Sequence, residues 1–184
     1  MRKTMKKILA LTLAAALTLG TAVTSMAATT SPTVGKVPVT EDNVKTDDSA
    51  FTTQTNKKGT LKIKGAKAVS KSKATVPATL TVNGVTYKVT SLGTKSLSNW
   101  RKVKTIVLSE NVNTIQKSAF QNCKKLRTII VKNAKPTKFY AKAFKGVNTK
   151  KITIKFSKKM SKKNYRKSVK LLKKIGFKGK IKRA

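Results

Sequence analysis

The run Ile115-Gln116-Lys117-Ser118-Ala119-Phe120-Gln121-Asn122-Cys123-Lys124-Lys125-Leu126-Arg127-Thr128-Ile129-Ile130-Val131 settles the architecture of this chain. It has a small residue before a large apolar one (Ala119-Phe120), then a turn, then an apolar-x-x-apolar-x-apolar strand from Leu126 to Val131. The same pattern stands 23 residues earlier. Ser96-Leu97 matches Ala119-Phe120, Asn99-Trp100 matches Asn122-Cys123, Val103 matches Leu126, and Thr105-Ile106-Val107-Leu108 matches Thr128-Ile129-Ile130-Val131. A third copy begins 24 residues later. Phe139 takes the place of Ile115, Ala143-Phe144 that of Ala119-Phe120 and Gly146-Val147 that of Asn122-Cys123, while Ile152 and Ile154 are set against Ile129 and Val131. A unit this short cannot bury its own apolar side; stacked copies can, so the spacing predicts a β-rich solenoid of about three units over residues 89–157.

N-terminal to the repeats, Ala78-Thr79-Leu80-Thr81-Val82 and Val85-Thr86-Tyr87-Lys88-Val89 flank Asn83-Gly84, a strong hairpin signal because both turn residues tolerate positive φ. Thr60-Leu61-Lys62-Ile63 alternates as a strand does. Residues 59–88 are therefore expected to form an N-terminal β-hairpin cap. Residues 28–58 are rich in Thr, Ser, Asp, Lys and Pro without an apolar period, and are expected to be a disordered linker. Residues 1–27 have the pattern of a secretory signal peptide. Arg2, Lys3, Lys6 and Lys7 precede the apolar stretch from Ile8 to Leu19, and Ser25-Met26-Ala27 fits a cleavage box.

C-terminal to the repeats the period becomes helical. Tyr165, Val169, Leu172 and Ile175 form one apolar stripe, Ser161 stands at an N-cap and Gly176 where a helix would end. Residues 158–184 are expected to be a basic C-terminal helical cap and tail, with a last strand over 177–181.

The unit from Ile115 to Val131 resembles the BspA-type leucine-rich repeats of bacterial surface and secreted proteins. The segment Asn83-Gly84-Val85-Thr86-Tyr87 and the basic tail from Tyr165 to Gly176 resemble segments that flank such repeats. The resemblance covers about residues 59–182 and implies a surface, adhesion or binding role. The first copy departs from the family pattern with Leu97 and Trp100 where Phe and Cys are usual. The third has Thr149 where a leucine would open the strand.

The chain has 43 Lys and Arg against five Asp and Glu, and no histidine. Removal of residues 1–27 leaves a formal charge of +34. Four carboxylates (Glu41, Asp42, Asp47 and Asp48) cluster near the mature N-terminus; beyond them Glu110 faces 37 basic residues. Such a charge opposes compaction and attracts polyanions. With one carboxylate in the repeats, paired-carboxylate hydrolysis lacks its second group. The repeats also lack metal-ligand clusters and a Gly-rich phosphate loop. A binding protein, no enzyme and no cofactor, is therefore expected.

Cys123 could be a reactive thiol beside Lys124 and Lys125; its repeat equivalents Trp100 and Val147 are apolar, which favours a buried structural role. Repeat phase likewise makes Trp100 and Phe120 core residues rather than stacking platforms. The helix could lie on a membrane surface or close the end of the solenoid, and the second is favoured.

The expected polyanion-binding residues are Lys158, Lys159, Lys162, Lys163, Arg166, Lys167, Lys170, Lys173 and Lys174. An expected partner face places Thr105, Thr128 and Lys151 in one outward row and Val107, Ile130 and Thr153 in the next. The leading reading is a secreted or wall-retained module whose partner is an anionic cell-wall or host-surface polymer, with a protein partner also open. The competing readings are a cationic membrane-active protein and a nucleic-acid or host-polysaccharide binder, nucleic acid being less favoured.

Overall fold

A computed structural model describes residues 36–184. The expected signal peptide lies outside them. The strands in chain order are β1 (Asp42–Lys45), β2 (Phe51–Thr55), β3 (Thr60–Ala66), β4 (Lys73–Val76), β5 (Thr79–Val82), β6 (Val85–Leu92), β7 (Thr105–Leu108), β8 (Thr114–Ile115), β9 (Thr128–Val131), β10 (Lys138–Phe139), β11 (Thr153–Phe156) and β12 (Lys180–Arg183). The helix α1 spans Lys162–Lys174. Among the described residues these strands form two sheets. The five-stranded one runs β12-β11-β9-β7-β4, all parallel. The seven-stranded one runs β1-β2-β3-β6-β8-β10, with β5 paired to β6.

The chain alternates between the sheets: β3 to β4, β6 to β7, β8 to β9, β10 to β11. Each passage is one coil, and successive coils stack with parallel pairing, about 4.8 Å apart. Between the sheets lie Leu92, Leu97, Ile106, Leu108, Ile115, Phe120, Leu126, Ile129 and Val131, all fully buried. Leu97, Phe120 and Phe144 form the expected column: Leu97 donates its backbone N–H to the Ala119 carbonyl at 3.1 Å, Phe120 to that of Ala143 at 3.2 Å, and the Phe120 and Phe144 rings stack at 5.2 Å.

The coils share a backbone device that composition does not announce. Lys95, Ser118 and Lys142, at equivalent positions of three coils, have φ of 57°, 57° and 59°. Left-handed backbone is unfavourable for residues with a Cβ. Each carbonyl here accepts from the N–H three residues on (Ser98, Gln121 and Lys145, at 2.9–3.0 Å), and the Ser118 N–H also donates to the Lys142 carbonyl at 2.9 Å.

Several expectations change. Of the linker expected over 28–58, residues 28–35 lie outside the described residues, and residues 42–55 are not a linker: β1 and β2 pair with each other, and β2 with β3, extending the seven-stranded sheet. Val44 and Phe51 pack this segment against the core, and polar contacts hold it to the hairpin. The Asp47 carboxylate accepts from the N–H groups of Asn83 and Gly84 at 2.8 and 3.1 Å, gripping the hairpin turn, whose two residues have φ of 52° and 76°. The Tyr87 hydroxyl accepts from the Val39 N–H at 2.9 Å. The stretch from Thr60 to Val76 is a coil before the first recognised repeat, since β3 and β4 pair in parallel with β6 and β7. The third repeat is displaced by two residues at its strand: Ile154 lies beside Ile129 and Phe156 beside Val131. A 3-10 turn at Thr149–Lys151, capped by the Asn148 side chain, takes up the extra length.

The tail follows the sequence reading more closely. The Ser161 hydroxyl accepts from the Asn164 N–H at 3.2 Å. At the other end Gly176 has φ +80°, where a residue with a Cβ would be strained. The N–H groups of Gly176 and Phe177 donate to the carbonyls of Lys173 and Leu172 at 3.0 and 3.1 Å, a Schellman closure in which Phe177 and Leu172 are the apolar pair. The last strand is shifted from 177–181 to Lys180–Arg183, beside β11.

Candidate cation-rich interface

The carboxylates on the N-terminal segment are engaged locally. Asp42 pairs with Lys64 at 2.8 Å. Asp48 accepts from the Thr46 hydroxyl at 2.5 Å and the Ala50 N–H at 2.9 Å. Asp47 holds the hairpin turn, and Glu41 accepts from the Asn83 amide at 3.1 Å. The Lys64 hydrogen bond to Asp42 and the Thr46 hydrogen bond to Asp48 hold both carboxyl groups below their ordinary range. Among the described residues the Asp42–Lys64 contact is the one ion pair, so the repeats and tail carry their cations without carboxylate partners.

All nine expected polyanion-binding residues are exposed. On α1, Ser168 and Leu172 are fully buried, with Tyr165, Val169, Leu171 and Ile175 half-buried around them. Lys162, Lys163, Arg166, Lys170, Lys173 and Lys174 project from the remaining surface. Lys167 joins Lys135 and Lys138 around a hollow of about 490 Å³ that Asn113, Thr114, Pro136 and Leu171 also line. Lys158 and Lys159 precede the helix beside the end of β12, where Arg183 donates to the Lys158 carbonyl at 2.7 Å.

The expected partner face is rearranged by the strand shift. In the five-stranded sheet, Lys73, Thr105, Thr128, Thr153 and Lys180 form one outward row, and Thr75, Val107, Ile130, Lys155 and Lys182 the next. Thr153 therefore belongs beside Thr128, Lys155 takes its place beside Ile130, and Lys151 lies in the 3-10 turn outside both rows. Val107 points outward but is only 5% exposed, flanked by Thr75 and Ile130, so the apolar spot reduces to half-buried Ile130.

Cys123 is fully buried, its thiol directed at the Leu97 carbonyl at 3.3 Å, and burial pushes its pKa up to about 12. It is a core residue. Trp100 is 2% exposed and donates its indole N–H to the Lys67 carbonyl at 3.0 Å, so its face is not offered to a ligand.

Sequence reasoning missed a second basic surface on the turns that enter β7, β9 and β11. Lys102, Lys125 and Lys150 each stand three residues before the paired residues Thr105, Thr128 and Thr153. Arg101 and Lys124 precede the first two. The 23-residue offset already related Lys102 to Lys125, but matching by apolar positions alone did not bring them out.

Residues 79–183 match the family model described as a BspA type leucine rich repeat region (6 copies). Comparison with curated proteins and with solved structures returned no match.

Proposed function

The chain belongs to the BspA-type leucine-rich repeat family, and on that premise we propose that it is an exported, non-catalytic binding module drawn to anionic polymers and retained by them at a bacterial cell wall. The observation that carries this reading is the basic surface of α1, where seven cations share a 13-residue helix that has no carboxylate on it. Lysines predominate. As flexible point charges they suit loose attraction to a polyanion better than bidentate recognition.

The apolar side of α1 is already packed within the domain: Leu172 is fully buried and the Tyr165 ring meets Phe156 edge-on at 5.8 Å. This favours a helix that closes the coil stack and shows its lysines outward over one that embeds in a membrane surface.

Replacing Lys162, Lys163, Lys170 and Lys174 by Gln tests the reading. Retention on purified wall polymer is expected to weaken and to depend less steeply on salt, since exposed charges are screened within about 10 Å at 0.1 M. A variant bound as tightly as the parent, with the same salt dependence, would show that the tail is not the contact surface.

A further inference from the structure

We infer that the turn face of the coil stack is a periodic groove for a linear polyol phosphodiester, an assignment that rests on the polyanion reading above and gives it a substrate class. Lys102 and Lys125 occupy equivalent turn positions on two successive coils, just before the paired strands β7 and β9, and Lys150 lies in the 3-10 turn that enters β11 on the third. Arg101, Lys104, Lys124 and Arg127 flank the first two. The backbone beneath is tied from coil to coil. The Ser72 carbonyl accepts from the N–H groups of Lys104 and Thr105 at 2.7 and 3.0 Å, that of Lys104 from Arg127 and Thr128 at 2.8 and 3.0 Å, and that of Arg127 from Thr153 at 2.8 Å. Lys102 and Lys125 are thus held on adjacent coils by the fold itself.

The surface between the rungs is hollowed. One depression of about 390 Å³ is lined by Arg101, Asn122, Lys124 and Lys125. The next, of about 360 Å³, is lined by Ala68, Val69, Ser70, Asn99, Arg101 and Lys102. Arg101 borders both, so the two adjoin along the stacking direction. Asn122, held at φ 66°, presents a side-chain amide beside Lys124. Glu110 stands beyond the other end of β7, away from these turns.

The lining selects among polyanions. It consists of lysine and arginine cations, amides and small side chains, with no aromatic ring among the residues that border either hollow. Base-stacking platforms, which supply much of single-stranded nucleic-acid affinity, are therefore missing from the groove. Lysine binds phosphate as a point charge, and Arg101, which borders both hollows, can take a phosphate through two parallel hydrogen bonds. A flexible chain with one phosphate per repeat can bring successive charges to successive rungs without stacking or fixed angles.

The test uses a synthetic glycerol phosphate oligomer with eight phosphates, its affinity measured across a salt series by isothermal titration, and dT8 as comparator. K102Q/K125Q/K150Q is expected to bind at least tenfold more weakly. Its slope of log affinity against log salt should fall by about two units, three phosphate contacts at roughly 0.7 each. K102R/K125R/K150R, which keeps the charges, should bind as the parent does, and dT8 should bind the parent less tightly than the oligomer. Circular dichroism confirms that each variant is folded. An unchanged slope in the glutamine variant, or tighter binding of dT8, overturns the groove. If K162Q/K163Q/K170Q/K174Q alone loses the slope, the groove falls and the polyanion reading stands. If the parent fails to bind the oligomer, heparin and dT8 alike at low salt, both fall.

Discussion

Phe120→Ala probes the coil stack at its centre. Phe120 is 0% exposed, with Leu97 in its column on the coil before and the Phe144 ring stacked at 5.2 Å on the coil after. Its neighbours are tied by the Leu97 to Ala119 and Phe120 to Ala143 backbone hydrogen bonds, so the walls cannot close on the void. Truncation removes the ring's transfer free energy and leaves a cavity, together about 3–5 kcal/mol. With a urea dependence of about 2 kcal/mol per molar, the unfolding midpoint should fall by roughly 1.5–2.5 M. The melting temperature should fall by roughly 10–15 °C, at about 3 °C per kcal/mol for a domain of this size. Phe120→Leu, which keeps most of the volume, should cost about 1–1.5 kcal/mol. The assay is urea unfolding followed by circular dichroism and tryptophan fluorescence. A Phe120→Ala midpoint within 0.3 M of the parent, about the effect of an exposed substitution, would show that the column is not packed as described and that the repeat register is wrong.

Native-state labelling of Cys123 with a thiol reagent should be orders of magnitude slower than labelling in urea, because the thiol is buried and its pKa is pushed up to about 12; equal rates would mean the third position of the turn is open. Acid should destabilise the N-terminal strands. Asp42 and Asp48 are more acidic folded than their ordinary value of 3.8, so their contribution is complete above that pH and is lost as pH falls through the lower folded values; D42N/D48N should flatten the acid limb of stability, and an identical limb counts against these contacts. Val107→Lys should lower the melting temperature by several degrees while Ile130→Lys is tolerated, since only the second side chain has room at the surface; equal tolerance would contradict the burial of Val107. Raising salt from 0.05 to 0.5 M should raise the melting temperature, because screening relieves self-repulsion among the exposed lysines and arginines of the coils and tail; a fall would mean that attractive pairs dominate.

The coil core could be read from sequence because its signals are apolar and repeat at fixed spacing. Leu97, Phe120 and Phe144 carry their positions in their identity, and so do Ile106 and Ile129. What escaped is written in other terms. The coil from Thr60 to Val76 offers Ala66, Ala68 and Ala74 among few large apolar residues, so its apolar pattern is too thin to match, although Val76 is as buried as Leu108 beside it. The strands β1 and β2 are held by Asp47, Thr55 and the Tyr87 hydroxyl, polar contacts with residues distant in sequence, which local composition cannot reveal. The two-residue slip before β11 arose because Ile152 and Ile154 keep the same alternation as Ile154 and Phe156; a period of two does not distinguish registers that differ by two. Of the basic surface, the helical part was legible from its 3.6-residue period. The turn lysines Lys102 and Lys125 became visible as a pair only once strand register placed their coils side by side.

The placement of the few acids bears on why so cationic a stack folds and stays available for binding. A mixed surface would pair its lysines with carboxylates and lower its own repulsion, as stable surfaces do. Here Asp42, Asp47, Asp48 and Glu41 all serve the N-terminal strands and the hairpin turn, where their contacts are specific hydrogen bonds rather than general neutralisation. The coils hold together through a core buried from Leu61 to Phe156 and a Schellman-closed helix, neither of which depends on charge. Repulsion among exposed lysines is screened by salt, whereas apolar burial is not, so the fold tolerates the charge at physiological ionic strength. The outcome is a scaffold whose stability comes from one set of residues and whose electrostatic field comes from another. A polyanion laid on the turns or on α1 relieves repulsion that the folded domain otherwise carries. Its binding should therefore stabilise the domain, and the same turn lysines, Lys102, Lys125 and Lys150, that limit stability in dilute salt should be those through which the ligand raises it.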